Sequence, residues 1–448
     1  MAIRKVVILD GTGRDDGDLA PALAVLTDVM EFNAAEVETF TLRDLNLGRC
    51  IGCFGCWLET PGICCEAVSE VARAIIDSDI IVLFTPIRFG GYSSELKRMV
   101  DRFIQFALPY FGRYHGETHH LPRYPRFPKL VGVGVQRHRN PDEARVFKAI
   151  VGRNAINFHA PSHAAEVIPN TEDSPALRER LQSLIKRADA LPLSKALRSY
   201  LPVPSAPDAE AGVGDARRAL FIVGSPKTTG PSTSFVLGSR LWNRLKKSGW
   251  ETETLTLKAN LGQETGQAEL CSSVDLANLL VLVFPLYIDA LPFLVTKALE
   301  VIAAHRQGTP VAHPQRLAVI CNSGFPESDQ NAVALAMCRQ FAAQTGMIWA
   351  GSLAIGGGGA YGGQSLTVVR HPGVKRVIRA LDLTAAALAD GQPVPQEAVT
   401  LMAQSPIPFI PFAAWCWLYG RVGGQQMQRQ AMENGVGKHA LLARPLAA

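Results

Sequence analysis

The sequence predicts an α/β fold made of two tandem domains, each with a doubly wound parallel sheet. A short apolar strand, a Gly-rich loop and an amphipathic helix follow one another near the amino terminus, and the same order returns about two hundred residues later. Strands that alternate with helices form parallel sheets, because each helix carries the chain back to the start of the next strand. A repeat of this length indicates tandem domains rather than a short-period solenoid.

The first copy opens with an apolar strand over Lys5–Asp10 that ends in the turn Gly11 to Gly13, and a helical pattern follows over residues 18–30. A second apolar strand covers Ile80–Pro86. The helix after it has apolar residues at helical spacing, namely Leu96, Met99, Val100, Phe103 and Ile104. We assign residues 1–195 to this first domain.

The second copy repeats this order. The strand Ala219–Val223 leads into the loop GSPKTTG and a helix, and the strand Leu279–Pro285 leads into a further helix. We assign residues 217–395 to this second domain. Residues 196–216 are rich in Pro, Ala and Gly and lack an apolar period, so they are predicted to be a linker.

A C-terminal tail, residues 396–448, remains outside both domains. It includes an apolar segment over residues 406–419, which contains three prolines and is shorter than the roughly twenty apolar residues that a membrane-spanning helix needs. We therefore predict no membrane span and expect the tail to pack on a domain. Contact with a membrane surface is the alternative.

Composition narrows the range of functions. A chain of 448 residues with 47% hydrophobic content can bury large cores, so it is not expected to be disordered. Its formal net charge of +5 is diluted over the whole length without a long basic block, which argues against a nucleic-acid partner. The amino-terminal apolar run is too short for a secretory signal, and a reducing cytoplasm suits free thiols.

Several loops that follow strands of the second copy carry residues suited to a ligand. In open α/β sheets, ligands bind beyond the carboxyl ends of the strands. The first loop offers a Gly turn, hydroxyls, a lysine and the amides of a helix N-terminus, which together suit a phosphate group. Its candidate residues are Gly224, Ser225, Lys227, Thr229 and Ser232, and the later loops contribute Asn322, Gly324 and Gly357. An ordinary turn with a Ser/Thr helix cap is the alternative.

Five of the nine cysteines lie within sixteen residues, at Cys50, Cys53, Cys56, Cys64 and Cys65. The spacing C-x2-C-x2-C-x7-C lets one loop direct three thiolates at a common point, and a fourth returns after a Pro-Gly turn. We predict a 4Fe-4S cluster held by Cys50, Cys53, Cys56 and Cys64. The alternatives are a four-thiolate zinc site, redox thiols or packing. A disulfide framework is disfavoured, because it is typical of small secreted chains. The adjacent Cys64 and Cys65 leave the fourth ligand open.

A histidine-rich segment, His115 to Tyr124, places Glu117, His119 and His120 together. Adjacent histidines on a loop usually diverge, so we expect a surface or substrate-pocket role rather than a metal site.

These residues resemble the NAD(P)H-dependent FMN reductases of the flavodoxin-like superfamily, and the first copy is similar to their iron-sulfur flavoprotein branch. That branch combines a compact cysteine cluster with a strand ending in Thr/Ser-Pro, a flavin-contacting loop and a helix with Lys and Asp-Arg. The matches are the four predicted cysteine ligands, then Thr85, Pro86, Arg88, Phe89 and Gly90, then Lys97, Asp101 and Arg102. Arg88 stands where the family often has Tyr. In the second copy, the loop GSPKTTG is similar to the family's FMN-phosphate loop, and its flavin-edge loop corresponds to Pro285, Leu286, Tyr287, Ile288 and Asp289.

The resemblance implies two flavodoxin-like domains and an NAD(P)H-dependent FMN oxidoreductase. A hydride from NAD(P)H would reach FMN, and the cluster would pass single electrons to a small-molecule or redox-protein acceptor that the sequence does not identify. Such reductases are commonly dimers, so the two copies are expected to pair as a pseudo-dimer within the chain, or the chain to form a homo-oligomer.

The first copy departs from this pattern in its acidic loop, which contains Asp15, Asp16 and Asp18. A carboxylate near a phosphate is unfavourable, so either these side chains point to solvent or this copy binds its flavin weakly. The alternative functional class is accordingly a non-enzymatic electron carrier, or a scaffold in which one copy has no flavin.

Overall fold

The computed structural model describes residues 5–34, 36–170, 174–190, 217–227, 230–257, 259–309, 313–370, 373–404 and 411–446. The chain divides into two compact units: unit 1 comprises Met1–Tyr200 and Trp417–Ala448, and unit 2 comprises Leu201–Cys416. The predicted linker, residues 196–216, lies outside the described residues, as does the predicted ligand residue Thr229.

The described strands, in chain order, are β1 (Lys5–Asp10), β2 (Glu36–Thr41), β3 (Ile80–Pro86), β4 (Ala107–Tyr114), β5 (Glu117–Pro122), β6 (Lys129–Gln136), β7 (His163–Pro169), β8 (Arg218–Val223), β9 (Glu251–Thr256), β10 (Leu279–Pro285), β11 (Arg316–Asn322) and β12 (Ile348–Ile355). The described α-helices are α1 (Ala20–Asn33), α2 (Gly55–Leu58), α3 (Glu66–Asp77), α4 (Ser94–Val100), α5 (Pro141–Asn157), α6 (Ser174–Ala190), α7 (Thr233–Lys247), α8 (Glu264–Leu276), α9 (Phe293–Gly308), α10 (Ala332–Gln344), α11 (Val374–Ala389), α12 (Gln396–Ala403), α13 (Phe412–Glu433) and α14 (Lys438–Leu441).

Each unit contains a five-stranded parallel sheet, ordered β2-β1-β3-β6-β7 in unit 1 and β9-β8-β10-β11-β12 in unit 2. Counted within each unit, both orders are 2-1-3-4-5, which is the flavodoxin-like arrangement. The prediction of two tandem flavodoxin-like sheets is confirmed. The central strands are apolar throughout because helices cover both faces of such a sheet, and β3 is buried along its whole length.

One addition to this plan lies in unit 1, where β4 and β5 form an antiparallel hairpin between α4 and β6. The predicted histidine-rich loop is therefore strand β5. Glu117 and His119 are buried on it, so the surface role is wrong for these two residues, and a substrate-pocket role stays a prediction. The sequence of β5 has no apolar alternation, because its buried positions are polar and are paired with one another inside the unit.

The end of the chain packs on that hairpin. A Cβ at Gly420 would lie 2.9 Å from Phe111 Cβ, and one at Gly424 would lie 3.0 Å from Tyr110 Cδ1, so these glycines let α13 approach β4 closely. Beyond α13, Arg123 Nη1 donates hydrogen bonds to the carbonyls of Leu441 and Ala443, both at 2.9 Å. Residues 417–446 are therefore an integral layer of unit 1.

The segment predicted as one tail is thus divided. Helix α12 contributes Ala398, Val399 and Met402 to the core of unit 2, whereas the chain from Trp417 onward belongs to unit 1. Within the residues that the structure describes, no helix combines the length and apolar character required to cross a bilayer.

Candidate functional site

The loops at the carboxyl ends of the strands are joined to one another in unit 2. The amide of Leu286, after β10, donates to the Asn322 carbonyl at 2.7 Å, and Asn322 Nδ2 donates to Ser234 Oγ on α7 at 2.8 Å. Thr233 Oγ1, also on α7, donates to the Gly358 carbonyl after β12 at 3.0 Å. Four strand-end loops therefore meet at one place, where a flavodoxin-like sheet binds its ligand.

The loop after β8 begins with Gly224, whose amide donates to the Val283 carbonyl at 2.8 Å. A Cβ at Gly224 would lie 2.2 Å from Val295 Cγ2, so only glycine permits this approach. Ser225 is buried, and its hydroxyl accepts a hydrogen bond from the Lys227 amide at 3.4 Å. Ser232 Oγ accepts from the Phe235 amide at 3.1 Å and caps α7, so the alternative reading of a helix-capping serine holds at this position.

Two further predicted glycines differ in their setting. Gly357 has φ of 65°, a left-handed conformation, and its amide donates to the Phe325 carbonyl at 2.7 Å. This hydrogen bond ties the loop after β12 to the loop after β11. Gly324 is exposed, and a Cβ there would meet no atom within 4 Å. Gly357 is therefore structurally required, whereas the backbone at Gly324 tolerates a side chain.

The turn after β10 is strained. Tyr287 and Ala290 exchange backbone hydrogen bonds of 3.0 and 3.1 Å, and the residues between them, Ile288 and Asp289, have φ of 45° and 59°. A β-branched residue in this region costs about 1–2 kcal/mol. Such strain is retained chiefly where a loop contacts a ligand.

Unit 1 has the same turn after β3. Arg88 and Gly91 exchange backbone hydrogen bonds of 3.0 and 2.8 Å, with φ of 56° at Phe89 and 84° at Gly90. Thr85 Oγ1 accepts from the Ser93 amide at 3.0 Å and donates to the Pro86 carbonyl at 2.9 Å. The predicted residues of this loop therefore shape the turn itself, and Pro86 and Phe89 are buried within it.

The loop after β1 differs from its counterpart in unit 2. The Asp16 carboxylate is buried and accepts from the Gly13 amide at 2.9 Å, from Arg88 at 2.8 Å and from Arg137 at 2.8 Å. Burial alone would raise the pKa of Asp16, but the Arg88 charge, the Gly13 amide and Arg137 together hold it below its usual range. Of the predicted acidic residues, Asp15 is exposed and Asp16 is buried. The expected solvent-facing position is therefore found for Asp15 but not for Asp16, and weak flavin binding by this copy stays a prediction.

Arg43 and Asp10 complete this region. Asp10 is buried at the end of β1, and its carboxylate accepts from the Thr12 amide at 2.9 Å and from Arg43 at 3.4 Å. Beside them lies a cleft of about 220 Å³, which Arg14 and Asp16 also line. This cleft lies beyond the carboxyl end of β1, between the loop after β1 and Arg43 after β2.

The cysteine loop, residues 50–65, is held against the hairpin. Phe54 and Gly62 take left-handed conformations with φ of 57° and 87°, which fold the loop back on itself. Trp57 is buried between them, donates from Nε1 to the Ala107 carbonyl at 2.9 Å and contacts the His120 ring at a centroid distance of 4.7 Å. The indole therefore fixes the loop on β4 and β5.

The four predicted ligand thiols influence one another electrostatically. Burial raises the pKa of Cys50 to about 12, to which the nearby Cys64 contributes. Burial also raises the pKa of Cys56, and the charges of Cys64, Cys50 and Cys53 raise it further. Burial raises the pKa of Cys64, Arg102 acts against this rise, and the charges of Cys65 and Cys53 add to it. The thiols of the cysteine loop are thus close electrostatic neighbours.

These thiols do not form a finished metal site. Across the described ranges, no group of three or more His, Cys, Asp or Glu side chains has the geometry to hold a metal ion. The eight cysteines described with their side chains are free thiols, so no disulfide framework is present among them. The donor set has the chemistry of an iron-sulfur ligand set.

Sequence reasoning named Arg102 but not its contact with the cysteines, and it missed Arg137. Arg102 Nη1 donates to Cys64 Sγ at 2.7 Å, although the two residues are 38 positions apart in the sequence. Arg137 reaches Asp16 from the loop after β6, and it comes from a run of polar residues with no motif. The available signal was positional only: Arg137 follows a strand directly, as ligand-site residues in such sheets do.

Comparisons with known proteins concern mainly unit 1. Residues 4–116, about a quarter of the chain, match the family described as NADPH-dependent FMN reductase. An iron-sulfur flavoprotein of Methanocaldococcus jannaschii is 31% identical over 98 residues, which is 22% of this chain and 51% of the relative. An iron-sulfur flavoprotein of Archaeoglobus fulgidus is 22% identical over 103 residues, which is 23% of this chain and 47% of the relative. The chain thus spans about half the length of the curated relatives it matches.

Solved structures were matched as well. An apo NADH:FMN oxidoreductase has a TM-score of 0.28 at 13% identity, covering 41% of this chain and 88% of that one. An NAD(P)H:quinone oxidoreductase from Methanothermobacter marburgensis has a TM-score of 0.30 at 13% identity, covering 39% and 96%. The resemblance to FMN reductases and iron-sulfur flavoproteins that the motifs indicate is confirmed by the family match and by the curated relatives.

Proposed function

We propose that this protein is an NAD(P)H-dependent FMN oxidoreductase that binds FMN at the strand-end loops of unit 2 and holds an iron-sulfur cluster on the cysteine loop of unit 1. The observation that carries the proposal is the hydrogen-bonded meeting of four loops in unit 2, through Leu286, Asn322 and Thr233. The family match of residues 4–116 and the names of the curated relatives support the flavin and the cluster as the chemistry of the chain.

The phosphate of FMN would be bound by the loop after β8. This loop contains Ser225, Lys227 and Thr229, it leads to the N-terminus of α7, and residues 224–235 include no acidic residue. A helix N-terminus favours an anion because its first amides lack partners within the helix and its dipole is positive there. Ser232 would contribute through the helix it caps, since its hydroxyl already accepts a hydrogen bond from Phe235.

The isoalloxazine ring would lie along the turn from Pro285 to Ala290. The turn holds Tyr287 half-buried beside the strained Ile288 and Asp289. FMN, when bound, would supply the redox chemistry, with NAD(P)H as the electron donor. The residues of this turn would orient the ring and exclude water from one of its edges.

Cys50, Cys53, Cys56 and Cys64 would hold a 4Fe-4S cluster, which supplies single-electron transfer when bound. The Arg102 guanidinium lies closer to Cys64 Sγ, at 2.7 Å, than to Cys65 Sγ, at 3.4 Å, which supports Cys64 as the fourth ligand. The electron acceptor would be a small molecule or a redox protein. Zinc and redox thiols remain the chemical alternatives for the same residues.

The second candidate function is an electron carrier, or a scaffold with one copy lacking flavin. The observation that favours it is the inward-facing carboxylate of Asp16 in unit 1. A carrier would bind FMN and exchange electrons but would not turn over NAD(P)H.

We further propose that the protein is cytoplasmic, because free thiols persist in a reducing compartment. The assembly would be a pseudo-dimer within one chain or a homo-oligomer, to be decided by sedimentation of the full chain.

The test is anaerobic purification followed by measurement of FMN, iron and sulfide per chain, and of flavin bleaching by NADPH and NADH. The variant Ser225→Ala/Lys227→Asp should lose FMN. Lys247→Asp is its control, because it makes the same charge change at the other end of α7, about 20 Å away. Equal FMN content and affinity in both variants would exclude the loop after β8. Flavin that is retained but not reduced by either nucleotide would favour the carrier.

A further inference from the structure

The amides of the loop after β1 are already occupied by groups of the chain itself. The Gly11 amide donates to the Phe84 carbonyl at 2.8 Å, the Thr12 amide to the Asp10 carboxylate at 2.9 Å, and the Gly13 amide to the Asp16 carboxylate at 2.9 Å. In a flavodoxin-like sheet this loop supplies the amides that bind an anionic ligand. Two of these three amides donate their hydrogen bonds to carboxylates of the chain.

Two guanidiniums converge on the same carboxylate from neighbouring loops. Arg88, after β3, and Arg137, after β6, each donate to Asp16 Oδ1 at 2.8 Å. Arg137 also donates to Asp18 at 2.8 Å, and Asn170, after β7, donates to Asp18 at 2.8 Å. Amides, guanidiniums and a helix start are the donor set that binds phosphate. The anion that they surround is a side chain of the protein.

Unit 2 provides the comparison within the same chain. The amide of Gly224 donates to the Val283 carbonyl at 2.8 Å, as the Gly11 amide does to Phe84, so the two loops leave their strands in the same way. Residues 224–235 contain no acidic residue, whereas the loop after β1 contains Asp15, Asp16 and Asp18. The two units therefore differ in the acidic residues of this loop, although the loops leave their strands in the same way.

We propose that the Asp16 carboxylate occupies the phosphate position of unit 1, so that unit 1 has an anion site for a phosphate monoester that the chain itself keeps filled. The wild-type chain consequently binds the phosphate of FMN in unit 2 only. Asp16 and Asp18 balance the charges of Arg88 and Arg137, and a phosphate dianion that reached these guanidiniums would meet both carboxylates at short range. Removal of Asp16 releases the Gly13 amide and takes one carboxylate away from Arg88 and Arg137, while Arg137 keeps its contact with Asp18.

The test uses the full chain with inorganic phosphate and FMN as probes, in titration calorimetry. Asp16→Ala should bind phosphate more tightly than wild type by about tenfold, the order expected for removing one like charge at contact distance. It should also bind one more FMN per chain. Asp15→Asn, which removes a neighbouring exposed charge, is the matched control and should match wild type.

The FMN arm rests on the proposed function, whereas the phosphate arm does not. If wild type binds no FMN but Asp16→Ala gains phosphate affinity, the proposed function fails and the internal anion stands. A folded Asp16→Ala protein with the phosphate affinity of wild type would overturn the proposal of an internal anion. The same conclusion would follow if the Ser225→Ala/Lys227→Asp variant retained one FMN per chain and lost it when Arg88→Met was added.

Asp16→Ala could lower stability, because Arg88 and Arg137 lose a partner. Thermal unfolding with added phosphate covers that case. A ligand that binds only the folded state raises the melting temperature. Phosphate should therefore raise the melting temperature of Asp16→Ala and of the milder Asp16→Asn by more than that of Asp15→Asn and wild type, in which only the loop after β8 would bind it. Equal shifts in all four proteins would contradict the proposal.

Discussion

Arg102 donates a hydrogen bond from Nη1 to Cys64 Sγ at 2.7 Å, and the same nitrogen lies 3.4 Å from Cys65 Sγ. Arg102 is buried in the 3-10 helix Asp101–Phe106 that follows α4, and Gln105 on the same helix accepts a hydrogen bond from the Cys64 amide at 3.2 Å. One short helix therefore positions both the backbone and the sulfur of Cys64. The cysteine loop is therefore anchored to the rest of unit 1 at Cys64.

The first prediction concerns that guanidinium. Burial raises the pKa of Cys64, and the Arg102 charge acts against this rise, so Arg102→Met should raise the pKa of Cys64 further. The thiolate is the reactive form, so alkylation of Cys64 in metal-free protein should slow, with its pH profile displaced upward. Peptide mass spectrometry of iodoacetamide-treated protein measures this rate. Arg98→Met is the control, because Arg98 contacts the Leu42 carbonyl and Glu95. Equal alkylation profiles in the two variants would show that Arg102 does not lower the pKa of Cys64.

The second prediction concerns the fourth cluster ligand. Cys→Ser at positions 50, 53, 56 and 64 should each abolish iron binding in anaerobically prepared protein, because a cluster that lacks one thiolate is labile. Cys65→Ser should retain iron, because the C-x2-C-x2-C-x7-C spacing assigns Cys64 and not Cys65 as the fourth ligand. Iron and sulfide analysis with visible absorption provides the measurement. Iron lost from Cys65→Ser but kept in Cys64→Ser would reassign the ligand by one residue, and iron absent from wild type would refute the cluster.

Much of the fold could be predicted because parallel strands are apolar along their whole length. The predicted strands at Lys5–Asp10, Ile80–Pro86 and Leu279–Pro285 coincide with β1, β3 and β10. The hairpin β4–β5 could not be predicted, since His119 and Glu117 read as a polar loop. They are in fact buried partners: His119 Nε2 lies 3.2 Å from Glu117 Oε2, and Arg153 contributes from α5.

The site was predictable to a lesser extent. Loops after strands can be located from the strand pattern, and the loops at Gly224, Pro285 and Asn322 do meet. The direction of a charged side chain in such a loop cannot be read in the same way. Asp16 turns inward only because Arg88 and Arg137 arrive from distant parts of the sequence, and burial of a carboxylate depends on partners of that kind.

The third prediction concerns the strained turn of unit 2. Ile288→Asn should raise the free energy of unfolding by about 1 kcal/mol, because asparagine adopts a left-handed conformation more readily than a β-branched residue. FMN retention should fall, since the side chain beside the proposed ring site changes. Urea unfolding and FMN titration measure the two effects. Gly90→Ala is the contrasting variant: a Cβ there would lie 2.6 Å from Val146 Cβ at φ of 84°, so it should destabilise unit 1. Loss of stability in Ile288→Asn would contradict the assignment of strain.

The last prediction concerns pH. Burial alone would raise the pKa of Glu117, but His119 and Arg153 lower it from 4.5 to about 2. The folded pKa is therefore below the unfolded one, and the resulting stability is fully present above about pH 4.5 and is lost as the pH falls toward 2. The shift corresponds to about 3 kcal/mol.

Glu117→Gln should thus lower the urea midpoint of unit 1 at pH 7, and the difference in urea midpoint from wild type should disappear between pH 4.5 and pH 2. Glu31→Gln, an exposed change on α1, should follow wild type throughout. A gap that stays constant across that range would show that Glu117 is not held ionised by these partners.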